Sequence, residues 1–312
     1  GTTTISTDVV DGVTLDFNDD VVTTVTSAIG SAATTQVVDF AAGESLTVGD
    51  AAGENLTVSG TTVNFNGTIE GGAGGGNDLS VNATTTLFGD TVGAGTHLDA
   101  VMTDAAGTTT ISAASLDAAS FDFNDDVVTT VATTIGSTAN TTLADFAGDK
   151  GVTIGDGAAE TLVVNGATVN FNGTVDSGAT FANDLTVNAA TTLFGGRVGD
   201  ATPTTTLGML TTDTAGTTTI STDVVSGATL DFNDDVVTTV TSLLTGTTLV
   251  DFAAGESLTI GDAGDENLSV VGAVVNFNGT VDGGVARMND LSVNSPTTFF
   301  GDVVGGTTPL RT

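Results

Sequence analysis

The chain has no cysteine, no tryptophan and no tyrosine, a single histidine, three prolines and only four Lys+Arg among 312 residues. Each shortage excludes something. Without cysteine there are no disulfides and no thiolate metal sites, so stability rests on packing and hydrogen bonds. Four cationic side chains stand against 38 Asp+Glu, giving a formal charge of −34. Neutralising phosphate needs Lys and Arg, so nucleic acid is not expected as a partner. An anionic lipid surface is excluded on the same ground. No apolar run approaches the roughly 20 residues of a membrane-spanning helix, so no direct membrane insertion is expected. Gly1 falls inside a repeat rather than a leader, which predicts a mature chain or a piece of a longer one.

What the chain does have is apolar and β-branched. Apolar residues make up 39% and charged residues only 13%. A disordered polyanion lacks that apolar content, so the composition predicts a packed core. Polar and apolar residues alternate in segments such as Val13-Thr14-Leu15-Asp16-Phe17 and Ser45-Leu46-Thr47-Val48. That is the pattern of half-buried strands. Gly-Asp, Asn-Gly and Gly-Gly pairs interrupt the segments as turns do. No segment shows a helical period.

Internal repetition dominates. Phe17-Asn18-Asp19-Asp20-Val21-Val22-Thr23-Thr24-Val25 returns at 123–131 and 232–240. Val63-Asn64-Phe65-Asn66-Gly67-Thr68 returns at 169–174 and 275–280, a step of 106 residues each time. Asn77-Asp78-Leu79-Ser80-Val81-Asn82 returns at 183–188 and 289–294. Small length changes near 199–206 and 243–248 account for the one 109-residue step. The predicted repeats are 1–106, 107–215 and an incomplete 216–312, read as one continuous solenoid rather than separate domains. The opening Gly1-Thr2-Thr3-Thr4-Ile5-Ser6 matches 107–112 and 216–221, so a fourth copy would follow the third in phase.

Within a repeat, phenylalanine recurs at Phe17, Phe40, Phe65 and Phe88, and Ile111 continues the series. A short step then reaches Phe123, and the series restarts at Phe146, Phe171, Phe194, Ile220 and Phe232. Twelve of the fifteen phenylalanines occupy these slots. Near-regular recurrence of one aromatic predicts a parallel β-helix, a solenoid of about 20 residues per coil with the rings stacked inside. The short step to Phe123 does not fit a regular coil and keeps open an alternative, tandem immunoglobulin-like β-sandwich domains.

Asn-Gly-Thr-Val-Asp-Gly, Asn-Asp-Leu-Ser-Val-Asn, Thr-Thr-Phe-Phe-Gly-Asp, Val-Gly-Gly-Thr-Thr-Pro-Leu and Ala-Gly-Thr-Thr-Thr-Ile occur in this chain. These units resemble those of bacterial β-strand-repeat surface proteins of the filamentous-haemagglutinin-like and autotransporter-adhesin-like kind. The resemblance covers essentially the whole chain. It implies secretion, a right-handed β-helix and a scaffold or adhesive role at the cell surface.

Catalytic chemistry has little to draw on. His97 is unrepeated, since the second copy reads Thr204-Thr205-Thr206-Leu207 there. Lys150, Arg197, Arg287 and Arg311 are too scattered to form a cleft for an acidic sugar. No enzyme is expected. Calcium is the one cofactor the residues suggest. Asp16, Asn18 and Asp20 would share one side of a continuous strand, as would Asp122, Asn124 and Asp126, and Asp231, Asn233 and Asp235. An EF-hand is excluded, because Val21 stands where that loop needs glycine and Ser27 where it needs a bidentate glutamate. The glycine-rich 71–79 resembles the calcium nonapeptide of toxin β-rolls, but the other copies replace its glycines. Several Asn-X-Thr/Ser triplets, among them those of Asn55, Asn66, Asn82, Asn140, Asn172, Asn267 and Asn278, match the glycosylation sequon.

The expected function is a structural extracellular fibre or scaffold that self-associates into filaments. The rival is an adhesin stalk that binds a cell-surface ligand, for which the 199–206 insertion is the one unrepeated loop.

Overall fold

The structure, a computed structural model, describes residues 1–157, 159–179, 183–199 and 205–311. Among them there is only strand, turn and loop, and every strand ladder is parallel. The fold is a parallel β-solenoid, and the sandwich alternative is set aside because it requires antiparallel sheets. Strands return to the same position roughly every 23 residues, a longer coil than expected. The chain divides into two compact units, Gly1–Lys150 and Gly151–Thr312, with the division inside the second sequence repeat.

The alternating segments become strands because one side of each is apolar. In Ser45–Val48, Leu46 and Val48 point inward and are buried while Ser45 and Thr47 face out. A coil has three such faces, so a face pairs with the equivalent face of the coil before or after it, and long strands such as Leu56–Phe65 and Asp78–Phe88 span two faces.

In the first unit, one column of strands runs through Thr14–Phe17, Val37–Phe40, residues 62–65, residues 85–88, Thr108–Ile111 and Asp126–Thr129. Phe17, Phe40, Phe65 and Phe88 stack in it with ring centroids 5.0, 5.2 and 5.4 Å apart and interplanar angles of 8–12°. Ile111 and then Thr129 continue the column below them. Phe123 does not. It lies in the neighbouring column, where Leu56, Leu79, Val101, Phe121 and Ala144 stand in register, and it stacks on Phe146 at 5.3 Å. The third column carries Val21, Leu46 and Ile69, then Val92, Leu116 and Ile135.

The second unit makes the same move. Phe171 and Phe194 stack at 5.5 Å and are followed in their column by Ile220, Thr238, Ile260 and Gly283. Phe232, Phe252, Phe277 and Phe300 stack in a different column, that of Leu162, Leu185 and Leu210.

A sequence repeat is therefore not a whole number of coils. From Phe17 to Phe123 the chain passes fourteen face positions, which is four turns of three faces and two faces more. The same count separates Phe171 from Phe277 in the second unit. The short step from Ile111 to Phe123 is two faces of one coil, and equivalent positions in successive repeats lie on different faces.

Packing explains the displacement. Protein interiors tolerate neither voids nor overfilling, so where one column loses its rings a neighbouring column supplies them. Where the first column tapers to Ile111 and Thr129, Phe121 and Phe123 begin on the next. All four of these side chains are fully buried. Each stacked ring pair adds roughly 0.5–1.5 kcal/mol beyond its buried area.

Coils approach most closely at glycine. A Cβ on Gly72 would run into the backbone carbonyl of Gly49, and the same holds for Gly178 over Gly155 and Gly284 over Gly261. By contrast, a Cβ on Gly148 meets nothing within 4 Å. We expect Gly72→Ala to destabilise the fold by roughly 2–3 kcal/mol in a denaturant titration, the cost of forcing a backbone apart. Gly148→Ala should leave the midpoint within experimental error.

Candidate functional site

The residues singled out for calcium lie at a corner of the coil, not along one strand. Thr14–Phe17 ends before Asn18, and the next strand, Asp20–Thr23, begins on the adjacent face. The same break separates Asp122 from Asp126 and Asp231 from Asp235. The expected shared side for Asp16, Asn18 and Asp20 is thus corrected: the chain turns between them, because Asn18-Asp19 is a bend and not part of the pleat.

Four of the nine, Asp20, Asp235, Asn124 and Asn233, bond to neighbouring coils. The Asp20 carboxylate accepts from the Ser45 amide and hydroxyl, both at 2.9 Å, and these bonds hold its pKa below the usual value. Asp235 accepts from the Ser257 amide and hydroxyl at 2.8 and 2.7 Å. Asn124 donates from its side chain to the Thr103 carbonyl at 3.1 Å, and Asn233 to Thr212 at 3.0 Å. Asp16, Asp122 and Asp231 each stand in register with a carboxylate of the following coil, Asp39, Asp145 and Asp251. Asp39 accepts from the amides of Asn64 and Asn66, and Asp251 from Asn276 and Asn278. Among the described residues no three His, Cys, Asp or Glu are grouped so as to hold a metal ion.

The buried member of the motif is the middle carboxylate, which the strand reading passed over. Asp125 is only 2% exposed and accepts from the Thr103 hydroxyl at 2.7 Å and the Thr109 hydroxyl at 2.8 Å. Asp234 repeats this with Thr212 at 2.6 Å and Thr218 at 2.8 Å. Asp19 accepts from Thr3 at 2.8 Å. These donors come from the preceding coil, so the carboxylate is a clamp between levels. Burial pushes both Asp125 and Asp234 up, against the pull of the threonine hydroxyls, and the nearby Asp104 and Asp213 add to the rise.

Asn77, Asn183 and Asn289 clamp a second corner. Each is buried, donates to a carbonyl of the preceding coil (Val48, Ile154 and Ile260, at 2.9, 2.6 and 2.6 Å) and accepts a glutamate amide (Glu54, Glu160 and Glu266). Asn77 stands in the glycine-rich 71–79, so that segment is coil-to-coil packing. The sequon asparagines are similarly engaged: Asn66 with Asp39, Asn82 with Ser59, Asn140 with Asp117 and Asn278 with Asp251. His97 is exposed in a loop. Most of the 199–206 insertion lies outside the described residues.

Comparison with known proteins found no family model that matches this chain, no similar curated protein and no similar solved structure.

Asp125 and Asp234 fix the sign of one pH effect. A carboxyl raised in the folded state gives stability that is complete below its unfolded value, about 3.8, and is lost as pH rises through the folded value. The carboxyls held low, such as Asp20, lose their contribution only below that window. Denaturant midpoints should therefore rise as pH falls from 7 toward about 4. The double variant Asp125→Asn/Asp234→Asn should show a flatter slope. An unchanged slope would assign the effect to general charge repulsion instead. Calcium at millimolar concentration should raise the melting midpoint no more than magnesium at equal ionic strength, because a specific site would add its own binding energy.

Proposed function

We propose that this chain is a structural module of an extracellular or cell-surface fibre, extended by stacking solenoid coils, and not an enzyme. The observation that carries the reading is where the repeated polar groups are used. The recurring Asp of the Phe-Asn-Asp-Asp motif binds two threonines of the previous coil at Asp125 and Asp234 and one at Asp19, and the recurring Asn of Asn-Asp-Leu bridges two coils. Motifs that recur for catalysis or ligand binding would aim such groups outward, whereas these are spent on holding one level to the next.

The surface supports the same reading. Its charge is almost wholly of one sign, which keeps neighbouring rods apart at low salt and leaves growth along the axis as the favoured association. The Arg197–Asp223 pair and the Arg311 pairs with Asp265 and Asp290 are exposed ion pairs and add little to stability. The partner of this surface is further copies of the chain. A location outside the cell accords with the absence of cysteine and with the resemblance to β-strand-repeat surface proteins.

Negative-stain electron microscopy with sedimentation velocity tests the proposal. Smooth rods of constant width that lengthen with protein concentration, and that bundle sideways as salt or magnesium is raised, are the expected result. Short particles of fixed size at every concentration would sink the fibre reading and shift the function toward a binding module.

A further inference from the structure

Seven asparagines stand in Asn-X-Thr/Ser triplets, and the fold uses them in two ways. Asn66, Asn82, Asn140 and Asn278 donate from Nδ2 to Asp39, Ser59, Asp117 and Asp251 of the preceding coil, at 3.1, 3.4, 3.1 and 3.2 Å. A sugar on any of these nitrogens would crowd the group that it serves. Asn172 occupies the slot of Asn66 and Asn278 in the second repeat.

Asn55 and Asn267 are turned the other way. Their Oδ1 atoms accept from the amides of Asp78 and Asp290 at 3.0 and 2.9 Å, while among the described residues their Nδ2 atoms donate to nothing. The buried side-chain atoms left without a partner are Asp117 Oδ1, Thr192 Oγ1 and Thr211 Oγ1, so both free nitrogens reach solvent. A sugar bonded to Nδ2 would leave the Oδ1 bond in place. The third residues of the two triplets, Thr57 and Ser269, alternate with buried Leu56, Val58, Leu268 and Val270 and so face outward. Each asparagine also follows an exposed turn, residues 51–53 in one case and 262–265 in the other. A Cβ added at Gly53 would meet nothing within 4 Å.

The second repeat shows that the fold does not need asparagine in this slot. Thr161 stands where Asn55 and Asn267 stand in the first and third repeats. The amide of Asp184, the counterpart of Asp78 and Asp290, there donates to the Glu160 carbonyl at 2.9 Å. The backbone thus does the work of the missing Oδ1. By contrast, the slot of Asn66, Asn172 and Asn278 holds asparagine in all three repeats, as a group required by packing does.

We propose that Asn55 and Asn267 are attachment sites for N-linked sugar. The donor is a sugar carried on a lipid pyrophosphate. Nδ2 attacks the anomeric carbon, the C–N bond forms as the C–O bond to pyrophosphate breaks, the amide gives up one proton, and lipid pyrophosphate departs. The product is a bulky, solubilising group on an outward corner of the coil. Such a group holds neighbouring rods apart by its volume, where salt has screened their charge. The inference rests on the extracellular placement of the fibre reading and adds a modification of its surface.

The test incubates the folded full chain with a single-subunit oligosaccharyltransferase, a lipid-linked oligosaccharide and a reference acceptor peptide, and maps the sites by peptide mass spectrometry. Occupancy of Asn55 and Asn267 at least tenfold above that of Asn66, Asn82, Asn140 and Asn278 is the expected result. The double variant Asn55→Thr/Asn267→Thr, which copies Thr161, should melt with the parent and take up less than a tenth of the sugar. Equal occupancy of all six asparagines would overturn the proposal. So would the absence of any addition while the reference peptide is modified. Neither outcome touches the fibre reading, which is decided on the unmodified chain by microscopy and sedimentation. Selective modification of a chain that stays short at every concentration would support the two sites and overturn the fibre.

Discussion

The rest of the structure depends on how much one level of a three-sided coil can hold. Phe rings, two of them (Phe121 and Phe123) on a single strand, share the interior with Val, Leu, Ile, Ala and Thr. Where the column of Phe17, Phe40, Phe65 and Phe88 ends in Ile111 and Thr129, Phe121 and Phe123 take up the space from an adjacent face. In the second unit Phe171 and Phe194 give way to Ile220 and Thr238 as Phe232 and Phe252 begin elsewhere. The large side chain passes between faces because fourteen faces per repeat are not a whole number of three-faced coils.

The polar groups follow from the same stacking. With cysteine absent and cations scarce, levels are joined by backbone ladders and by neutral or singly charged clamps at the corners. Asp125 between Thr103 and Thr109, and Asn77 between Val48 and Glu54, satisfy backbone and hydroxyl groups that the corner would otherwise leave unpaired inside the protein. The charge of a buried carboxylate is costly, which is why Asp125 and Asp234 titrate high.

Much of this was legible in the sequence. The alternation in Ser45–Val48 and the recurrence of Phe17, Phe40, Phe65 and Phe88 are local or nearly local signals, and both led to the solenoid. The step from Ile111 to Phe123 was visible too, but a linear reading treats it as an irregularity, since nothing in the spacing says how many faces a coil has. The site was less legible. Extending the strand through Asn18 and Asp19 put Asp16, Asn18 and Asp20 together and passed over the middle carboxylate, which is buried at Asp125 and Asp234. The partners that identify Asp125, Thr103 and Thr109, lie 22 and 16 residues before it and meet it only when coils stack. The available signal was the repeated Thr-Thr-Thr-Ile segment one coil upstream of each Phe-Asn-Asp-Asp.

A repeat of fourteen faces on a three-faced coil behaves like the thread of a screw. Asp16 and Asp122 are the same residue of successive repeats, yet one stands on the column of Phe40 and the other on the column of Phe146. Within a unit, an exposed group that occurs once per repeat is therefore displayed on a different face at its second occurrence. No single face of the unit, then, collects the equivalent groups of successive repeats.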